Sequence, residues 1–154
     1  MVSLFPLLYW PITEEQPIPS PTAYAVLNTY LRSGGVILFD TRDGDLSGLR
    51  NGVNAKLFEL TRPLDIPPLA PVTQDHVLTR SFYLLNDFPG RFKESALWAQ
   101  ASRNTEAGTD GVPFSQSNDG VTPILIGGND WAAAWALDGA GRAKYPVGLS
   151  LIHI

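Results

Sequence analysis

The chain has 154 residues, 44% of them hydrophobic and 17% charged, which is enough to bury one core of ordinary domain size. Its 15 acidic and 11 basic residues are scattered and leave a formal charge of -4, so it carries no electrostatic footprint for nucleic acid. The absence of cysteine excludes disulfides, thiolate metal ligands and a cysteine nucleophile.

The apolar opening, Met1 to Trp10, lacks a basic leader and is broken by Pro6 and Pro11, so it does not read as a targeting segment. No stretch approaches the roughly 20 apolar residues that a bilayer crossing needs, and no direct membrane contact is expected from this segment. Leu4 to Trp10 reads as a buried strand ended by Pro11, followed by a proline-punctuated loop over Thr13 to Pro19. Ser20 reads as an N-cap with Pro21 at the first helical position, where its fixed φ suits the helix and its missing N–H costs nothing. Tyr24, Leu27 and Leu31 then recur at helical spacing, and Gly34-Gly35 supply the stop.

Val36 to Phe39 is a continuous apolar run of the kind that both faces of a parallel sheet cover, so it reads as a central, fully buried parallel strand beside Leu4 to Trp10. Turn chemistry follows over Asp40 to Asp45, then a short helix around Ala55 to Leu60 and a proline-rich connector from Pro63 to Pro71. His76 to Leu85 alternates enough for a strand, and Asp87 to Arg91 reads as a turn. Further strands are expected at Leu97 to Ala101 and Pro123 to Ile126, separated by a polar loop over Ser102 to Gly120. Trp131 to Leu137 reads as a last strand before an Asp138-Gly139 turn.

The blocks FPLLYWPI, YLRSGGVILFDTRDGD, LDIPPL, DHVLTRSFYLLNDFPGRF and TPILIGGNDWAAAWALDGAGR together resemble the bacterial family called domain of unknown function 4159. That family in turn resembles class I glutamine amidotransferase-like domains, which implies a flavodoxin-like parallel α/β fold by analogy alone. Amidotransferases of that class attack with a cysteine at a strand-to-helix elbow. This chain has no cysteine and no G-x-S-x-G pattern, so glutaminase activity is not expected. The resemblance further implies a long envelope-associated parent protein anchored in the bacterial inner membrane by other segments. Family members compared at this level carry a βα unit before the first block and a helix after the YPV segment. The chain therefore reads as a single partial α/β domain over residues 1–148, and Leu149 to Ile154 as an artefactual tail matching a translated sequencing adapter.

Candidate site residues lie where α/β folds bind ligands, outside the carboxyl ends of strands. Asp40, Arg42, Asp43 and Asp45 follow the Val36 strand, and clustered carboxylates can converge on a hard cation or a polar ligand; the plainer reading is solvated turn and capping residues. Their spacing is not that of a calcium loop, and no metal site is expected. Gly127-Gly128-Asn129-Asp130 follows the Pro123 strand and reads either as a tight turn or as a loop offering backbone N–H groups to a ligand. No phosphate-binding glycine fingerprint accompanies it, and no cofactor is expected. Asp75-His76 is an acid and imidazole pair with the ingredients of a general base. Arg80 and Arg91 bracket the aromatic stretch Phe82 to Phe88, where a guanidinium near Tyr83 or Phe88 either clamps an anion or stacks as a surface residue.

These residues support a non-catalytic module that binds a polar ligand or a protein partner through Asp40, Arg42, Asp43, His76, Arg80, Asn129 and Asp130. The rival is a metal-dependent or acid-base hydrolase using Asp40, Asp43, His76 and Asp130. Convergence of those four in one cleft favours the enzyme, and dispersal favours the binding module.

Overall fold

The computed structural model describes residues 5–44, 52–74, 76–80, 88, 90–93, 95–101 and 122–145. Strand β1 (Leu7–Pro11) leads into helix α1 (Pro21–Arg32), which returns the chain to β2 (Val36–Asp40). The side chain of Ser20 accepts a hydrogen bond from Ala23 N–H at the helix start, as an N-cap should, and Pro21 takes the first turn. Helix α2 (Gly52–Thr61), strand β3 (Leu69–Pro71), helix α3 (Val77–Arg80), strand β4 (Trp98–Gln100), strand β5 (Ile124–Gly127) and helix α4 (Trp131–Ala134) complete the order. No helix among the described residues is long and apolar enough to cross a membrane.

The five strands form one mixed sheet in the order β1-β2-β5-β4-β3, which makes the fold α/β. β1, β2 and β5 run parallel, with Leu8 opposite Ile37, Trp10 opposite Phe39, and Phe39 opposite Ile126. The all-parallel sheet expected from the sequence fails beyond β5, because β4 pairs with β5, and β3 with β4, in the antiparallel sense. Backbone bonds from Val72 N–H to Leu97 O and from Ala101 N–H to Pro68 O extend that antiparallel pair at both ends. The connector from Pro63 to Pro71 therefore ends as a short strand, and the run from Leu97 keeps three strand residues.

Side chains alternate across a strand, so the register sorts the parallel half into two faces. Leu8, Trp10, Ile37, Phe39, Ile124 and Ile126 share one face, in a single hydrophobic cluster with Tyr24, Leu27, Tyr30 and Leu31 of α1 and Leu57 and Leu60 of α2. Tyr24 hydroxyl donates to Leu60 O at 2.9 Å, and Asn28 donates to Pro63 O and accepts from Asp65 N–H, which fixes α1 against the end of α2. The other face carries Leu7, Tyr9, Val36, Leu38 and Leu125. Val36 and Leu38 are only half-buried, so the strand expected to be fully buried is interior to the sheet but covered well on one face alone.

Where strands were expected from His76 and from Trp131, the described residues Val77–Arg80 and Trp131–Ala134 are helical, for local reasons. At His76, Nδ1 accepts from Leu78 N–H while the Thr79 hydroxyl bonds His76 O, closing a turn that continues as α3; residues 81–87 lie outside the described residues. At Trp131, three successive alanines with the best helix propensity follow a terminus whose free N–H groups have found an acceptor elsewhere in the fold. The expected turn at Asp138-Gly139 is present, with Asp138 Oδ1 accepting from Ala140 and Arg142 N–H inside the Leu137–Ala143 bridge. The polar loop expected at Ser102 to Gly120, the tail from Leu149, and Asp45 lie outside the described residues.

Candidate functional site

The loops that leave β1, β2 and β5 meet at the carboxyl end of the parallel strands. Ile12 N–H donates to Asp40 O and Thr41 N–H to Gly127 O, each at 2.9 Å, so the ladder runs past the strand ends. Gly44 N–H then reaches Gly128 O at 2.9 Å and ties the second loop to the third. Two glycines permit this approach. A β-carbon at Gly128 would stand 2.6 Å from Asp43 Oδ1 and 2.9 Å from Ser95 Oγ, and one at Gly127 would stand 2.4 Å from the Trp131 ring.

Asp40 organises the junction. Its side chain is fully buried, and its Oδ1 accepts from the N–H groups of Arg42 and Asp130, both at 3.1 Å. Oδ2 accepts from the Tyr9 hydroxyl at 2.6 Å and from Trp131 N–H at 2.9 Å. A carboxylate offers about four acceptor positions, so Asp40 is saturated within the protein. It caps α4 from a different strand, placing negative charge where the helix leaves its first N–H groups unpaired. Burial, and then the bond to Asp40, push the Tyr9 hydroxyl well above its ordinary value.

Asp40 also holds two unusual backbone conformations. Arg42 and Asp130 are the non-glycine residues with positive φ among those described, at 57° and 53°, and both donate their N–H to the same Asp40 oxygen. Between these loops opens a crevice of about 420 Å³, lined by Ile12, Thr13, Glu14, Thr41, Arg42, Asp43, Arg91 and Asp130. Arg42 Nη2 donates to Ile12 O at 2.9 Å, and Arg91 lies 3.6 Å from Asp130 while its guanidinium covers the rings of Phe92 and Tyr145. Thr41 hydroxyl donates to Asp43 Oδ1 at 2.6 Å, whereas Asp43 Oδ2 is buried with no hydrogen-bond partner.

Five sequence candidates thus come together at one end of the sheet: Asp40, Arg42, Asp43, Asn129 and Asp130. Their roles differ. Arg42, Asp43 and Asp130 line the crevice, while Asp40 is consumed as an internal acceptor. Asn129 is fully buried and donates to the carbonyls of Phe92 at 3.0 Å and Phe88 at 3.5 Å, so it shapes the turn. His76 does not line the crevice, its Nδ1 being engaged by Leu78 N–H, and the side chain of Arg80 lies outside the described residues. The four-residue acid-base constellation is therefore not assembled. Among the described residues, no group of three or more His, Asp and Glu side chains could hold a metal ion.

Sequence reading missed Tyr9, Glu14 and Thr41, and it treated Arg91 only as the partner of Arg80. The Tyr9 contact follows from the β1–β2 register, which places Tyr9 opposite Leu38 and on the same face as Asp40. Sequence spacing holds no signal for it. Comparison with curated proteins finds no match. The model of one family covers residues 1–149, and the chain belongs to that family, DUF4159, a domain of unknown function.

Proposed function

We propose that this chain is a non-catalytic module that binds a small polar ligand in the crevice formed by the loops after β1, β2 and β5. One observation carries the reading: the crevice opens at the carboxyl ends of parallel strands, with both Arg42 and Arg91 and the acids Glu14, Asp43 and Asp130 in its lining. Open α/β sheets present ligands at this end because loops there gather side chains from several strands around exposed backbone groups. Left-handed backbone at Arg42 and Asp130 supports it, since strained residues persist where the surrounding structure over-determines them and they cluster at ligand sites. In this proposal the fold is a glutamine amidotransferase-like, flavodoxin-like relative, and the parent protein is envelope-associated and anchored in the bacterial inner membrane.

The test is a fragment screen read by backbone amide shifts. Polar fragments should perturb the amides of Thr41 to Gly44, Arg91 and Asn129 to Trp131 together, and a double Arg42→Gln, Arg91→Gln variant should lose those perturbations while melting at the wild-type temperature. Fragments that perturb other surfaces only would refute the reading.

A further inference from the structure

Resting on that reading, we infer that the ligand is a small dipolar molecule, with an acid group at one end and an ammonium group at the other, its charges separated by about one to two strand spacings. The loops leave neighbouring strands in the order β1, β2 and β5, so the strand ends that bring these charges to the crevice stand in a row. Glu14 stands on the loop after β1, Arg42 and Asp43 on the loop after β2, and Asp130 with its partner Arg91 at the loop after β5. Neighbouring strands are about 4.8 Å apart, which sets the row at roughly 5 to 10 Å from end to end.

Within that row the charges are not all satisfied. Asp130 and Arg91 meet each other, at 3.6 Å. Among the described residues, no carboxylate lies within ion-pair distance of Arg42, and no Lys or Arg lies within that distance of Glu14 or Asp43. Arg42 gives one nitrogen to a backbone carbonyl and keeps the rest of a donor fork suited to a carboxylate or phosphate. Asp43 keeps an oxygen that no donor meets. A purely anionic ligand would satisfy Arg42 and place its charge beside Glu14 and Asp43, while a purely cationic one would face Arg42 and Arg91. A ligand with both charges meets both sets, and its length selects among homologues.

The experiment titrates the whole chain with ω-amino acids of increasing length, from glycine through 4-aminobutyrate to 6-aminohexanoate, following amide shifts at the crevice. Acetate, inorganic phosphate and butylamine serve as single-charge controls. An intermediate length should bind about tenfold or more tighter than any of these controls, and Glu14→Gln and Arg42→Gln should each weaken it about tenfold. Both residues are exposed, so both variants should retain the wild-type melting temperature. Acetate or phosphate binding as tightly as the best amino acid would overturn the dipolar class and leave the binding site standing. Silence of the crevice toward every compound in the series, while the fragment screen succeeds there, would also overturn the class; silence in both would overturn the site as well.

Discussion

On the face packed against α1 and α2, Ile37, Phe39 and Ile124 are fully buried, whereas on the opposite face Leu7 and Tyr9 are 50% and 39% exposed. The first face holds the sheet by close apolar packing, which is non-directional and tolerant of which apolar residue fills a position. The second is half-covered along its length, and its carboxyl end is closed by a polar junction in which one carboxylate meets four donors. Stability and site-building are thus placed on opposite faces of the same strands. Change on the second face can reshape the crevice without emptying the core.

The largest expected effect tests that division on adjacent residues of β2. Phe39→Ala should cost about 4 kcal/mol by leaving a cavity under Trp10, whose ring stands 5.5 Å from that of Phe39. Leu38→Ala, on the half-covered face, should cost about 1 to 2 kcal/mol. Urea unfolding of both variants measures the difference, and equal losses would break the comparison. Next comes Asp40→Ala, which strands three backbone N–H groups and should cost about 3 kcal/mol, a large part of the roughly 5 to 15 kcal/mol that a domain has. Asp40→Asn should cost less but still disturb the Arg42 and Asp130 amides, because a carboxamide keeps one acceptor oxygen and places a donor against donors.

Tyr9→Phe is smaller, about 1 kcal/mol, because the ring is part-exposed and water competes for its bond to Asp40. Its sharper signature is pH dependence. The folded hydroxyl titrates above its ordinary value, so the stability it contributes is present below pH 10.0, the ordinary value, and is lost as pH rises beyond it, because the unfolded chain deprotonates first. Tyr24, also raised by burial, loses stability in the same window. Alkaline unfolding of Tyr9→Phe should therefore be shallower than that of wild type without being flat. An unchanged alkaline profile would show that Tyr9 and Asp40 do not act as a pair.

The helix-covered face was legible in the sequence because periodicity, the Ser20-Pro21 start and the Gly34-Gly35 stop all point to α1, and the apolar run at Val36 can only be a covered strand. The two-sided burial assigned to that run was not correct. Val36, Ile37, Leu38 and Phe39 are all apolar, so nothing in their pattern records that α1 and α2 pack on one side. Clustering of Asp40, Arg42, Asn129 and Asp130 followed from the rule that strand ends gather loops, but the rule does not say which carboxylate is consumed internally. Saturation of Asp40 depends on Tyr9, Trp131 and Asp130, residues up to 91 positions away, and that is a property of register. The strand expected at Trp131 failed because short apolar runs are ambiguous between helix and strand, and a buried acceptor on β2 decides the matter.

The smallest expected effect concerns the backbone of the site. Asp130 sits at φ 53° and ψ 58°, a left-handed conformation that costs a residue bearing a β-carbon about 1 kcal/mol. Replacing it with glycine removes that cost and the ion pair to Arg91, which at 3.6 Å and with Arg91 44% exposed contributes little. Glycine also loosens the unfolded chain by a comparable amount, so Asp130→Gly should leave stability within about 0.5 kcal/mol of wild type. Asp130→Ala loses the same ion pair, keeps the β-carbon in the left-handed region and lacks the short polar side chain that tolerates it. It should therefore be less stable than Asp130→Gly by about 1 kcal/mol. Denaturant melts of the two variants decide the point. If alanine proves as stable as glycine, the left-handed turn relaxes without cost, and the proposal that Asp40 holds a strained wall beside the crevice fails. If glycine is the more stable and both variants lose the crevice shift perturbations, the site depends on the aspartate side chain that the fold itself does not need.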